Sequence, residues 1–197
     1  LIVNLNGGEP LLHPDILEIV AFIRKKGMVA AMNSNGFLLS RSLIRGLNDA
    51  GLHTLQVSAD AVRPNATTQK ALATLLPKFR ALAEEARFQV RVNTVFGAAP
   101  PEEAVEVVRT ALAHGFGAKV ALRRDECGSP VPFDGAARAA YEELRGLEGR
   151  RLGIFGEDYI EGGLIIELHF FGSKSDKRKD QGGVTGGGVD LIGAVRI

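Results

Sequence analysis

One cysteine, Cys127, is all the chain has in 197 residues. It leaves no room for an internal disulfide, nor for a metal site made only of cysteines from this chain. Charge of one sign is equally scarce. Lysine and arginine number 24 against 23 aspartates and glutamates, a formal net charge of +1. That balance gives no electrostatic footprint for nucleic acid or for an anionic membrane surface. No apolar run approaches the roughly 20 residues of a membrane span, and no basic stretch leads into an apolar core as a targeting segment would. The expectation is a cytoplasmic protein without nucleic-acid or membrane partners. The Gly-rich stretch "QGGVTGGGVD" lacks the Lys-Ser/Thr ending of a phosphate loop and is not read as one. His13 has no second ligand at metal spacing, so a capping role at the following helix is expected of it. His53 and His114 stand beside glycines that end helices, where a cation favours the dipole.

What is present is a regular alternation. A hydrophobic content of 45% over this length supports one domain with a sizeable core. Strands are predicted at 1–6, 29–35, 55–60, 88–95 and 119–123. Between them the spacing predicts helices over 15–26, from the Ser40 cap to Gly51, over 67–86 with Pro77 kinking or splitting it, and from Pro101 to Gly115. Strand and helix in turn mean right-handed crossovers and a parallel α/β sheet. Residues 128–132 read as a loop, 136–147 as a helix and "GGLIIELHFFG" as one strand. The run "SKSDKRKD" reads as a solvated charge run. The domain expectation is a partial barrel over 1–127, a helical extension over 128–161 and a Gly-rich, poorly ordered tail over 162–197.

The strand faces choose between an open sheet and a barrel. Strands buried on both faces read as continuous Val, Ile and Leu. Here Asn4 and Asn6 alternate with Val3 and Leu5, and Asn33 and Asn35 share one face of the second strand. Gln56, Ser58 and Asp60 lie opposite Leu55, Val57 and Ala59, and Gln89, Arg91 and Asn93 lie opposite Phe88, Val90 and Val92. Polar residues in phase on four strands predict a curled sheet whose interior holds a polar ligand, since unpaired buried amides are costly. The fold class expected is therefore α/β, a partial TIM-like (β/α) barrel with outer helices and its site at the C-terminal strand ends. The bland reading is that these amides satisfy one another or buried water. Arg91, mid-strand on the polar face, calls for an anionic partner. Arg123 and Arg124 follow the fifth strand and read equally as a carboxylate partner or as a solvated pair.

"NGGEP" ends the first strand with two residues that bare the backbone, then a carboxylate suited to an ammonium group, then Pro10 to fix the exit. The longer run "NGGEPLLHPDI" resembles the second-strand motif of radical S-adenosylmethionine (radical SAM) enzymes, in the branch of molybdenum-cofactor, pyrroloquinoline-quinone and peptide-maturation members. "MNSNGFLL" resembles the family's Thr-Asn-Gly strand ending, with Ser34 in place of Thr. "LQVSAD" resembles the next strand, with Ala61 where Gly is usual, and "VRVNTVF" the one after. The resemblance implies a site for S-adenosyl-L-methionine, its amino end held by Gly7, Gly8 and Glu9 with Pro10 closing the loop. Asn35, Ser58, Arg91 and Asn93 become the expected contacts to ribose and carboxylate. It implies reductive cleavage of the cosubstrate at a four-iron four-sulfur cluster, giving methionine and a 5′-deoxyadenosyl radical, with an electron-donor protein and an unknown small-molecule or peptide substrate as partners.

One departure is large. The family holds its cluster on a Cys-x3-Cys-x2-Cys loop that precedes the Gly-Gly-Glu-Pro strand, and thiolates are the normal cluster ligands. This chain has no such triplet and starts at Leu1, already in a strand. Two readings follow: a fragment of a radical SAM enzyme, inactive as given, or a degenerate, cluster-free barrel that binds a small polar ligand. A third, a different barrel enzyme using Asp60 as base with a metal, lacks a carboxylate–histidine set. A further consequence is an unpaired sheet edge along 1–6, open to aggregation.

Overall fold

The computed structural model describes residues 1–123, 134–147, 152–154 and 165–170. Its centre is a seven-stranded, wholly parallel sheet. The strands are β1 (Ile2–Gly7), β2 (Val29–Ser34), β3 (Thr54–Ser58), β4 (Gln89–Phe96), β5 (Gly117–Leu122), β6 (Leu152–Ile154) and β7 (Ile165–Phe170). They lie in the order β6-β5-β4-β3-β2-β1-β7. The crossovers carry α1 (Ile16–Lys25), α2 (Arg41–Ala50), α3 (Leu72–Glu85) and α4 (Pro101–Ala113), with α5 (Gly135–Gly146) after β5.

Burial follows the alternation in the sequence. Val3, Leu5, Ala30, Met32, Leu55, Val57, Val90, Val92, Ala118 and Val120 are buried on one face of the sheet. They meet Ile16, Val20 and Ile23 of α1, Ile44 and Leu47 of α2, Leu75, Phe79 and Leu82 of α3, and Val105 and Val108 of α4 in one core. The other face carries the polar residues, none of them fully buried. Helices on one face of a parallel sheet and polar side chains on the other make the partial (β/α) barrel that the sequence predicts.

Local chemistry sets the helix ends. The Ser40 hydroxyl accepts the Leu43 N–H at 3.2 Å, and Asp134 accepts the Ala137 N–H at 2.8 Å. Pro101 occupies the first position of α4, where its missing donor costs nothing. Asn48 closes α3, donating from Nδ2 to the Glu85 carbonyl at 2.8 Å and accepting from the Arg87 N–H at 2.8 Å. Arg41 and Arg45 of α2 both pair with Glu85, and these guanidiniums, Arg45 first, pull its carboxyl down to about 2.

Several expectations need correction. The helix expected over 67–86 starts only at Leu72. Asn65 captures the preceding residues instead: its Oδ1 accepts the N–H groups of Thr67 and Thr68 at 2.8 and 2.9 Å, a local turn that competes with helix. Pro77 does not split α3, which runs continuously through it. The edge along 1–6 is not unpaired. β7 lies parallel to β1 there, from Ile2↔Ile165 to Gly7↔Phe170. The strand read in "GGLIIELHFFG" is found at 165–170. β6 escaped the sequence reading, since a three-residue strand carries too little periodicity to see. The loop at 128–132, Arg124, Cys127 and the charged and Gly-rich runs lie outside the described residues.

Candidate functional site

The C-terminal ends of β1 and β2 are bound to one another by a single carboxylate. Gly7 leaves β1 with φ 113°, a conformation that favours glycine. Gly7 and Gly8 are both exposed, and among the described residues no hydrogen bond engages the Gly8 backbone. Glu9 follows, then a single 3-10 turn at Pro10–Leu12. Glu9 Oε1 accepts the Leu11 N–H at 3.1 Å and the Ser34 hydroxyl at 2.7 Å, while Oε2 accepts the Asn35 N–H at 2.7 Å. Ser34 Oγ in turn accepts the Gly36 N–H at 2.9 Å. Ser34 is buried on the helix-facing side of β2. The carboxylate therefore reaches behind the loop, away from the sheet's polar face, and spends its capacity on the chain. The sequence gives Glu9 its charge but not this partner set, which depends on two loops 25 residues apart meeting.

The polar face holds two rows of side chains across the strands. Ser58 pairs in register with Asn93 and Asn93 with Lys119. Asn35 lies one step beyond the Ser34↔Val57 pair and so beside Ser58. Asn35 Oδ1 accepts the Phe37 N–H at 2.9 Å, which leaves its amide nitrogen as the free end. One layer toward the N-terminal strand ends, Asn33 pairs with Gln56, Gln56 with Arg91 and Arg91 with Gly117. Asn6 joins this lower row, one step beyond Leu5↔Met32.

These side chains do not satisfy one another. Among the described residues no hydrogen bond joins Asn6, Asn33, Gln56, Ser58, Arg91 or Asn93 to the chain by its side chain. The Oδ1 atoms of Asn4 and Asn6 are buried and have no partner among the described residues. The bland reading of the amides as a self-satisfied set does not hold for these residues. Their donors and acceptors are left for a ligand or for solvent.

The structure brings Gly7, Gly8, Glu9, Pro10 and Asn35 together at the ends of β1 and β2, and Ser58 and Asn93 into one row with Asn35. It does not bring Arg91 there. Arg91 is exposed, two residues below Asn93 and three strands from β1. Asp60, just past β3, is a group that the sequence reading set aside. Its Oδ1 accepts the Val95 N–H at 3.3 Å, and burial is the main cause that raises its pKa, against the opposing Lys70 charge. Raised in the folded state, this pKa makes the ionised form unfavourable to folding. Asp60→Asn, which keeps the acceptor, is expected to raise the melting temperature at neutral pH. The gain should shrink as the pH falls through the folded pKa toward the unfolded value of 3.8. Thermal melts of both proteins from pH 3.5 to 8 check this, and an equal or lower neutral melting temperature contradicts it.

Two histidines stand at element ends. His13 Nδ1 accepts the Asp15 N–H at 3.1 Å. His114 caps α4, with Nδ1 2.8 Å from the Thr110 carbonyl and its ring stacked on Phe116. No group of three metal-ligating side chains occurs among the described residues, and none of their helices is long and apolar enough to cross a membrane.

A parallel partial barrel with a Gly-Gly-Glu-Pro loop on one strand and a tied Asn-Gly ending on the next defines a class of (β/α) domain. The chain belongs to the radical SAM superfamily, whose model matches residues 2–122. An AdoMet-dependent heme synthase of Methanosarcina barkeri (strain Fusaro / DSM 804) is 32% identical over 149 residues, 73% of this chain and 42% of the relative. A GTP 3',8-cyclase of Aliarcobacter butzleri (strain RM4018) is 30% identical over 120 residues, 58% of this chain and 37% of the relative. Among solved structures, Streptococcus suis SuiB bound to S-adenosylmethionine superposes with a TM-score of 0.60 at 14% identity, over 85% of this chain and 47% of that one. A domain of pyruvate-formate lyase-activating enzyme from Bacteroides vulgatus ATCC 8482 gives 0.59 at 16% identity, over 78% of this chain and 98% of that one. These two likenesses concern the fold. The chain spans less than half the length of the curated relatives named here.

The family's cofactors are S-adenosyl-L-methionine and a four-iron four-sulfur cluster. The residues present fit the first: Gly8 is exposed and its backbone makes no hydrogen bond among the described residues, nor do the side chains of Ser58 and Asn93 in the neighbouring row. They do not fit the second. A cluster takes several thiolates, and this chain supplies one cysteine.

Proposed function

We propose that this domain binds S-adenosyl-L-methionine across the C-terminal ends of β1 to β4, as part of a protein that cleaves it reductively to start radical chemistry. When bound, the cosubstrate supplies a reductively cleavable carbon–sulfur bond. The backbone at Gly7 and Gly8 takes the methionine ammonium through its carbonyl groups. Glu9 holds that loop against β2 and keeps a negative charge close by, while Pro10 fixes the exit. Asn35, Ser58 and Asn93 offer donors and acceptors to ribose hydroxyls and to the carboxylate. No step is assigned to the cluster, whose ligands this chain does not carry. The substrate and the electron donor belong to the whole protein.

The observation that carries this reading is the row of Asn35, Ser58 and Asn93 side chains, unengaged beyond the Asn35 turn, beside the bare glycine loop. Asn93→Leu tests it. Losing one or two hydrogen bonds of about 1.4 kcal/mol each weakens S-adenosylmethionine binding by roughly 10- to 100-fold. Isothermal titration of the wild type and the variant measures this, and equal affinities would remove Asn93 from the site. The single cysteine also favours a second reading, a cluster-free barrel that binds a small polar ligand without catalysis. Iron content of the whole protein after anaerobic reconstitution separates the two.

A further inference from the structure

Beyond Ser58 the chain leaves the sheet. Ser58↔Asn93 is the last register pair of β3 and β4, and the Ala59 N–H donates to the Asn93 carbonyl at 2.9 Å just past it. β4 runs on beside β5 to Phe96↔Leu122. The segment from Ala59 to Ala71 thus starts directly on the upper row of Asn35, Ser58 and Asn93. It closes on itself. The Asp60 N–H donates to the Lys70 carbonyl at 2.7 Å, Ala61 bridges Ala71, and the Leu72 N–H donates to the Ala61 carbonyl at 2.9 Å.

Two carboxylates tie this segment to β4 and α4. Asp60 Oδ1 accepts the Val95 N–H at 3.3 Å, and Glu103 Oε2 accepts the Val62 N–H at 2.6 Å. The second is much the shorter, and an ionised acceptor makes the stronger bond. Glu103 stands in the first turn of α4, where a carboxylate also favours the helix dipole. That is the bland reading of Glu103. Glu102 beside it supplies the same charge from an exposed position, whereas Glu103 is half-buried and engaged by another element. The dipole alone does not account for Glu103.

A bond at Val62 is felt at Ser58. Ala59 and Ala61, on either side of Asp60, are fully buried, and Val62 packs against the core. Close-packed interiors leave little room for one residue to move without its neighbours. We propose that Glu103 is a positioning residue for the cosubstrate's site: by holding the Val62 N–H it fixes the exit of β3, and so the placement of Ser58 beside Asn93. It acts through Ser58 and not by touching the ligand. This rests on the S-adenosylmethionine reading of the upper row.

Isothermal titration of the 197-residue chain with S-adenosylmethionine, well below each variant's melting temperature, tests it. Glu103→Ala should weaken binding about five-fold or more, since a site in place a fifth of the time binds about five-fold more weakly. Glu103→Gln keeps an acceptor and should stay within about two-fold. Asn48→Ala loosens the far end of α3. It should also stay within about two-fold, however far its melting temperature falls. In NMR of the ligand-free chain, Glu103→Ala should move the Val62 amide and with it those of Ser58, Asp60 and Val95, while Glu103→Gln moves Val62 alone. Unchanged affinity in a folded Glu103→Ala, or an equal loss in Asn48→Ala, would overturn the proposal. So would an equal loss in Glu103→Gln, which would make the charge itself a partner of the ligand. If Glu103→Ala does not fold, the wild type decides: S-adenosylmethionine should slow hydrogen exchange at the Val62 amide, and unchanged exchange would overturn the proposal. A wild type that binds no S-adenosylmethionine, with the Ser58 and Asp60 shifts of Glu103→Ala present, would strike the upper-row reading alone. Without those shifts the positioning role falls as well.

Discussion

Glu9→Gln should destabilise the domain by about 1–3 kcal/mol in urea unfolding, and Glu9→Ala by somewhat more, about 2–4 kcal/mol. The reason is the donor set. Three hydrogen-bond donors from the chain converge on this carboxylate: the Leu11 N–H, the Ser34 hydroxyl and the Asn35 N–H. A carboxylate only accepts, so two oxygens satisfy all three. Glutamine replaces one oxygen with a second donor. If its oxygen serves Leu11 and Ser34, its NH2 group faces the Asn35 N–H. If it turns round, the NH2 group faces the Leu11 N–H, which cannot turn away, and the Ser34 hydroxyl, which can. Alanine removes the acceptor and leaves the donors to find water. Ser34→Ala should cost less, about 1–2 kcal/mol, and the double variant with Glu9→Gln should fall short of the sum because the two share one bond. Additive effects would show that the contact is not formed in solution. An isosteric Glu9→Gln that is thermodynamically silent would return the carboxylate to a direct ligand role.

Gly36→Ala is the second large effect, and Gly27→Ala is its control. Both glycines have positive φ, 77° and 75°. A Cβ at Gly36 would stand 2.8 Å from Val57 Cγ1 and 3.1 Å from Leu75 Cδ2, whereas one at Gly27 meets nothing within 4 Å. The control therefore pays the backbone term alone, about 1 kcal/mol. Gly36→Ala adds overpacking against a buried strand and helix, a further 1–3 kcal/mol or about 2–4 kcal/mol in all. Because Val57 precedes Ser58, the shift that relieves the clash should also disturb the upper row. Equal losses at the two glycines, read from urea midpoints, would mean that the turn after β2 is looser than the contact distances imply.

The sheet was legible because period-2 alternation and glycine-ended helices are local signals, and each needs only a few neighbouring residues. Val3, Leu5, Leu55, Val57, Val90 and Val92 are inward toward the helices as their spacing predicts. The start of α3 was misread because Thr67 and Thr68 count as helix-compatible until the Asn65 side chain that captures them is seen. The covered edge of β1 was missed because β7 lies more than 150 residues downstream in sequence, and pairing at that separation leaves no local mark. At the site, the motif marks the loop but not the hydrogen bonds that its carboxylate makes within the chain. Charge and position suit Glu9 to an ammonium group, but its partners are Ser34 and Asn35, found only when two βα loops are placed side by side. Arg91 shows the same limit. Alternation put it on the polar face, while the register that sets it a layer below Asn93 and next to Gly117 needs the neighbouring strands.

The central claim is that S-adenosyl-L-methionine sits on the upper row, against the glycine loop. Its most direct test is a titration of the 15N-labelled chain with S-adenosylmethionine, followed through assigned backbone and side-chain amides. The account predicts saturable shifts at Gly7, Gly8, Asn35, Ser58 and Asn93, weakened together by Asn93→Leu, with the Arg91 Nε–H left in place. Saturable shifts centred on Arg91 and Gln56 with the glycine loop silent, or no saturable shift at millimolar cosubstrate, would contradict it.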